Sequence, residues 1–116
     1  MTKLEICPYS PSLQPLFKSL NEEWLKKFFV VEAYDAALLG NCESEIIAKG
    51  GSIFFGKLNG EVIGTYAILA PVDGCVELGK MAVTAAHQGK GYGQQLLQHA
   101  ISTAVAQGHK EILLYS

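Results

Sequence analysis

Between Met81 and Gly93 the chain reads Met81-Ala82-Val83-Thr84-Ala85-Ala86-His87-Gln88-Gly89-Lys90-Gly91-Tyr92-Gly93 and then turns directly into an amphipathic stretch. An apolar run, a loop with alternating glycines and a helix start together make an anion site. The first backbone N–H groups of a helix have no acceptor one turn earlier, and the aligned peptide dipoles place about half a positive charge there. Glycines let the backbone close on an anion with no Cβ in the way, so phosphate or pyrophosphate is the ligand this stretch suits. Two common phosphate loops do not fit. A Walker loop needs Gly-Lys followed by Ser or Thr, and here Gly91 follows Lys90. A dinucleotide fingerprint needs G-x-G-x-x-G early in a βαβ unit, whereas Gly89, Gly91 and Gly93 give G-x-G-x-G late in the chain.

Other side chains capable of chemistry are sparse. His87 reads as an exposed loop residue and His99 as an exposed helix residue, while Trp24, Phe28 and Phe29 read as core. Cys7, Cys42 and Cys75 are odd in number and widely spaced, which supports neither a disulfide framework nor a zinc site. No metal is expected, and the cysteines read as reduced, small apolar side chains of a cytoplasmic protein.

Several elements must hold the glycine loop. Leu4-Glu5-Ile6-Cys7 alternates as a short strand stopped by Pro8 and Pro11. Ser12 can cap a helix from about Leu13 whose stripe Leu13, Leu16, Phe17, Leu20, Trp24, Phe28 faces a core. A weaker helical stretch runs from about Glu32 to Leu39 and ends at Gly40-Asn41, and Glu43 to Lys49 adds a turn or two. Ser52 to Leu58 and Glu61 to Ala70 read as strands joined by Asn59-Gly60, two residues that tolerate the positive φ of a type I′ hairpin turn. A strand from about Cys75 to Val83 leads to the glycine loop. A helix from about Gly91 to Gln107 follows, with Leu96, Leu97, Ala100, Ile101, Ala104 and Val105 on one face, and a last strand spans Glu111 to Tyr115. The order β-α-α-β-β-β-α-β predicts an α/β fold of the mixed-sheet kind, with antiparallel early strands, one right-handed parallel crossover and helices on both faces.

Composition narrows the function classes. With 116 residues, 49% hydrophobic residues and a net charge of −2, the chain fits one domain, 1–116, and not a disordered segment. All nine basic residues are scattered lysines, a poor match to the clustered Arg-bearing face of a nucleic-acid binder. No apolar run approaches the roughly 18 residues of a membrane span, and Met1-Thr2-Lys3-Leu4-Glu5 lacks a signal-peptide core. No nucleic-acid or membrane partner is expected.

The pattern Q/R-x-x-G-x-G/A after a strand is met by Gln88, Gly91 and Gly93, and here the chain resembles the GCN5-related N-acetyltransferase (GNAT) superfamily. Glu77-Leu78-Gly79-Lys80-Met81-Ala82-Val83 looks like that family's fourth strand, and the resemblance spans essentially the whole chain. It implies an acyl-CoA N-acyltransferase-like fold, acetyl-coenzyme A as co-substrate, and acetyl transfer to a primary amine of a small molecule or peptide. It also implies that backbone amides of Gln88, Gly89, Lys90, Gly91, Tyr92, Gly93 and Gln94 hold the pyrophosphate. Main-chain groups of Met81, Ala82 and Val83 would align the pantetheine arm, and a β-bulge, expected at Gly79, would open the cleft. Glu77 stands where some members place a general base. Such a base matters because a lysine-like amine with a pKa of about 10.4 is neutral in only about one molecule per few thousand at pH 7. Ala85 stands where the family often has proline. The sequence ends at Ser116 just after the expected fifth strand, where members usually continue with a helix and two strands. That leaves an alternative reading, a catalytically incomplete acetyl-CoA-binding or interaction module, and an expectation that Ile112 to Tyr115 pair with a second copy of the chain or with another chain. A general nucleotide-phosphate binder is a third reading.

Overall fold

The computed structural model describes residues 3–28, 39–72, 74–109 and 111–114, without the side chains of 24–28 and 114. Five strands form one sheet in the order β1 (Glu5–Pro8), β2 (Ser52–Leu58), β3 (Glu61–Ile68), β4 (Cys75–Val83), β5 (Glu111–Leu114). Neighbours are antiparallel except β4 and β5, which run parallel on either side of the helix α2 (Tyr92–Ala106). The other long helix is α1 (Gln14–Phe28). The mixed α+β architecture read from the sequence is the one observed. Among the described residues no helix is long and apolar enough to cross a membrane.

Local chemistry accounts for most boundaries. Asn59 and Gly60 have φ of 52° and 84°, the two positive values a type I′ turn requires, and β2 and β3 pair on either side of them. Ser12 does not cap α1: Pro11 opens a 3₁₀ turn, Pro11–Leu13, that runs into the helix, and Ser10 is the residue flanking it. Glu43–Ile47 is a π-helical turn rather than α-helix. The expected helix from Glu32 to Leu39 falls almost wholly outside the described residues, as do Phe29 and the side chains of Trp24 and Phe28.

Apolar side chains cover both faces of the sheet. On one face Ile63, Tyr66, Ile68, Val76 and Leu78 meet Tyr92, Leu96, Ala100 and Ala104 of α2. On the other, Ile53, Phe55 and Ala67 meet Phe17 of α1, together with Leu39, Cys42 and Ile46. Two expected core positions point outward instead. Leu16 is 38% and Val105 63% exposed, because each stripe is narrower than its apolar residues suggest. Asn21 fills part of the α1 stripe, buried with its Nδ2 donating to the Phe17 carbonyl at 3.1 Å.

Candidate functional site

The site grows from an irregularity in β4. Thr65 faces Ala82 while Ala67 faces Gly79, so Tyr66 of β3 stands opposite two residues of β4, Lys80 and Met81. This β-bulge lies one residue beyond the expected Gly79: Lys80, at φ 51°, carries the left-handed backbone. Its position is set by the register against β3, not by which residue is most permissive. The bulge also shifts the alternation of the strand. Val76 and Leu78 face α2, and after the bulge Met81 and Val83 face α2 as well, while Ala82 is buried.

β5 pairs with β4 only from Cys75 to Leu78. Past Leu78, no strand pairs with that edge of β4 among the described residues, along the stretch that leads through Met81, Ala82 and Val83. That stretch runs straight into the glycine loop. Thr84 N–H donates to the Ile63 carbonyl at 2.8 Å, and the 3₁₀ turn Ala85–His87 follows. Gln88 Nε2 then donates to the Val83 carbonyl at 2.9 Å, folding the loop back onto the end of β4. Gly91 caps α2 at φ 85°, ψ 3°, a left-handed conformation that glycine adopts without penalty. The amides of Tyr92, Gly93 and Gln94 begin the helix with no carbonyl one turn earlier to take them. Gly89 and Lys90 are exposed at the mouth, and a Cβ added at Gly89 would meet nothing within 4 Å. The loop residues and Met81–Val83 are therefore contiguous. Tyr92 differs from the rest: the residue is 8% exposed, lies in the α2 core and meets the His87 ring edge-on at 6.2 Å, which leaves only its amide for a ligand at the loop.

Glu77 is half-buried on β4, opposite Leu113 of β5, with its carboxylate on the face away from Val76 and Leu78. Gly79 leaves room beside it, since a Cβ there would stand 3.5 Å from Glu77 Oε2. Glu77 and Met81 are four steps apart along the strand, about 13 Å. The carboxylate and the glycine loop therefore lie at opposite ends of β4.

The remaining candidates of the sequence have other partners. His99 is not an exposed helix residue: Nδ1 lies 2.7 Å from the Tyr66 hydroxyl and 3.3 Å from Thr103 Oγ1, with Phe54 against its ring. Burial pushes the Tyr66 hydroxyl up to about 12 and lowers the His99 imidazole. His87 Nδ1 is 2.8 Å from Thr84 Oγ1. Cys7, Cys42 and Cys75 are free thiols, and among the described residues no group of three His, Cys, Asp or Glu could hold a metal. Two polar residues had no signal in the sequence. Gln95 Oε1 accepts the Leu4 N–H at 2.8 Å, beside a groove of about 510 Å³ between Ile6 and the α2 face of Gln94, Gln98 and Ser102. Glu23 Oε1 accepts the Ala85 N–H at 2.8 Å.

The architecture recurs in solved acetyltransferases. An acetyltransferase of the GNAT family from Staphylococcus aureus Mu50 superposes with a TM-score of 0.84 at 22% identity, over 97% of this chain and 72% of that one. A GNAT family acetyltransferase from Brucella melitensis in complex with acetyl-CoA gives 0.78 at 19% identity, over 100% and 77%. A predicted acetyltransferase with acetyl-CoA from Clostridium acetobutylicum gives 0.77 at 14%, over 97% and 80%. No curated protein matches the chain. The model of the acetyltransferase (GNAT) family matches residues 8–116, nearly the whole sequence, and the chain belongs to that family.

Proposed function

We propose that this chain is an N-acetyltransferase that takes acetyl-coenzyme A as acetyl donor and a primary amine of a small molecule or peptide as acceptor. The observation that carries the reading is a strand that runs directly into an anion-shaped loop: β4, with no strand paired to it past Leu78 among the described residues, leads into Gln88–Gln94 at the start of α2. A molecule with a pyrophosphate at one end and a linear, amide-bearing arm at the other matches both features. The amides of Gly89, Lys90, Gly91, Tyr92, Gly93 and Gln94 take the pyrophosphate, and Lys90 adds positive charge there; the Gln88 N–H, expected to join them, instead donates to the Ala85 carbonyl at 3.4 Å and closes the turn. Main-chain groups of Met81, Ala82 and Val83 take the arm as they would take an added strand. The solved relatives from Clostridium acetobutylicum and Brucella melitensis hold acetyl-CoA, which supports the choice of donor.

Acetyl-coenzyme A supplies the acetyl group as a thioester. Glu77 accepts a proton from the substrate ammonium, directly or through a water, so that the neutral amine can attack. A backbone N–H of β4 polarises the thioester carbonyl as the amine adds to it; the carbon–sulfur bond then breaks, and coenzyme A thiolate leaves and takes up the proton that the new amide nitrogen gives up. Calorimetry with coenzyme A, acetyl-coenzyme A and ATP tests the ligand: micromolar binding of the first two and none of ATP is expected. ATP binding as tight as coenzyme A binding would favour a general nucleotide-phosphate site. An acetylation assay over an amine panel tests the reaction, and binding without transfer to any amine would leave an acetyl-CoA-binding module.

A further inference from the structure

Ala85 opens the 3₁₀ turn that follows β4, and its exposed N–H has no acceptor within the turn, so water or a side chain must take it. Thr84 stands at the capping position but does not cap; its Oγ1 lies against His87 Nδ1 at 2.8 Å. The acceptor comes from 62 residues earlier in the chain, where Glu23 Oε1 on α1 takes the Ala85 N–H at 2.8 Å. A carboxylate at the first amide of a helical turn combines a charge-assisted hydrogen bond with a favourable dipole interaction. Thr84 N–H to Ile63 and Gln88 Nε2 to Val83 fasten the two ends of the loop to the sheet. Glu23 fastens the segment between those ends, and does so from a different layer of the fold.

On the reading that the loop holds acetyl-coenzyme A, we propose that Glu23 is a positioning residue: it caps the Ala85 turn from α1 and so holds the cofactor loop in its binding conformation. The alternative role for a carboxylate beside an anion site is simple repulsion, and it has the opposite sign. Removing the charge would then tighten coenzyme A, whereas removing a cap loosens the loop and weakens binding.

Three variants and one exchange measurement decide. Glu23→Ala should weaken coenzyme A about fivefold, the usual effect of deleting a cap. Glu23→Gln, whose amide oxygen still accepts, should bind within about twofold of the parent or slightly tighter. Ala85→Pro in the Glu23→Ala background should restore most of the affinity, because the ring fixes φ near the helical value and removes the donor that needed a partner. Thr84, at φ −56° and ψ 147°, already has the backbone that a residue before proline adopts. The Ala85 amide should exchange slowly in the parent and in Glu23→Gln, and fast in Glu23→Ala, while the Thr84 amide is unchanged. Tighter or equal binding by Glu23→Ala would overturn the proposal, as would a parent Ala85 amide exchanging like an open loop. A parent that takes no coenzyme A would overturn the acetyl-CoA reading instead. The Ala85 exchange rate would then still decide whether Glu23 caps the turn.

Discussion

At the scale of single residues, Glu77 and Gly91 carry separable parts of the proposed reaction. Glu77 sits on β4 away from the glycine loop, so Glu77→Gln should leave coenzyme A affinity unchanged while kcat at pH 7 falls by roughly 10²–10⁴-fold. The deficit should shrink as pH rises toward the amine's own pKa of about 10.4, where the acceptor is neutral without help. A pH–rate profile of parent and variant checks this, and equal rates at pH 7 would return Glu77 to an ordinary strand residue. Gly91 is a conformational requirement as well as a binding one, at φ 85°. Gly91→Glu should cost about 1–2 kcal/mol of stability through the left-handed backbone, and should abolish coenzyme A binding by placing a carboxylate where the pyrophosphate approaches. Circular dichroism and calorimetry on the same sample separate the two effects. Gly91 was legible in the sequence because glycine chemistry is local. Glu23 was not, since its partner Ala85 is set by the packing of α1 against the sheet.

At the scale of elements, the reading succeeded where one short stretch decides the outcome. Asn59-Gly60 specifies its own turn, and the β4 bounds Cys75–Val83 are those expected from its apolar run and flanking turn residues. It failed where two elements decide together. The bulge belongs to the register of β4 against β3 and so landed on Lys80 instead of the more permissive Gly79. Likewise α2 is seated by a polar contact that its apolar periodicity does not announce, His99 of the helix against Tyr66 of β3. That contact makes the docking of α2 sensitive to acid. Burial holds the His99 pKa below its ordinary 6.5 in the fold, while in the unfolded chain the ring takes up its proton near 6.5. The contribution is thus fully present above about pH 6.5 and is lost as pH falls from there through the lower folded value. His99→Gln, which cannot titrate, should lose less melting temperature than the parent between pH 7.5 and pH 5. Equal losses in the two proteins would show that the imidazole does not report on α2 docking.

At the scale of the whole molecule, two helical layers hold a sheet whose β4–β5 side does two jobs. Where β5 pairs with β4, from Cys75 to Leu78, the sheet is continuous; past Leu78 no strand pairs with β4 among the described residues, and that edge is the one proposed to receive an extended ligand. The outer side of β5 is a second edge. Among the described residues no strand covers it, Leu113 is 46% exposed, and Ile112 packs only partly against the α2 core. A short parallel strand with apolar side chains is stable when both its edges and both its faces are occupied, and an open edge of this kind templates pairing. A polypeptide of residues 1–116 taken by itself is therefore expected to bury that edge by pairing through β5 with a second copy of itself. Sedimentation over a micromolar range should show a concentration-dependent dimer, and Leu113→Lys, which charges the exposed position, should shift it toward monomer with little change in coenzyme A affinity. Amide exchange along Glu111–Leu114 gives the second readout: protection that rises with protein concentration fits pairing across β5. A clean monomer whose Glu111–Leu114 amides exchange rapidly at every concentration would mean that this strand frays instead, while β1 to β4 and the loop they position remain.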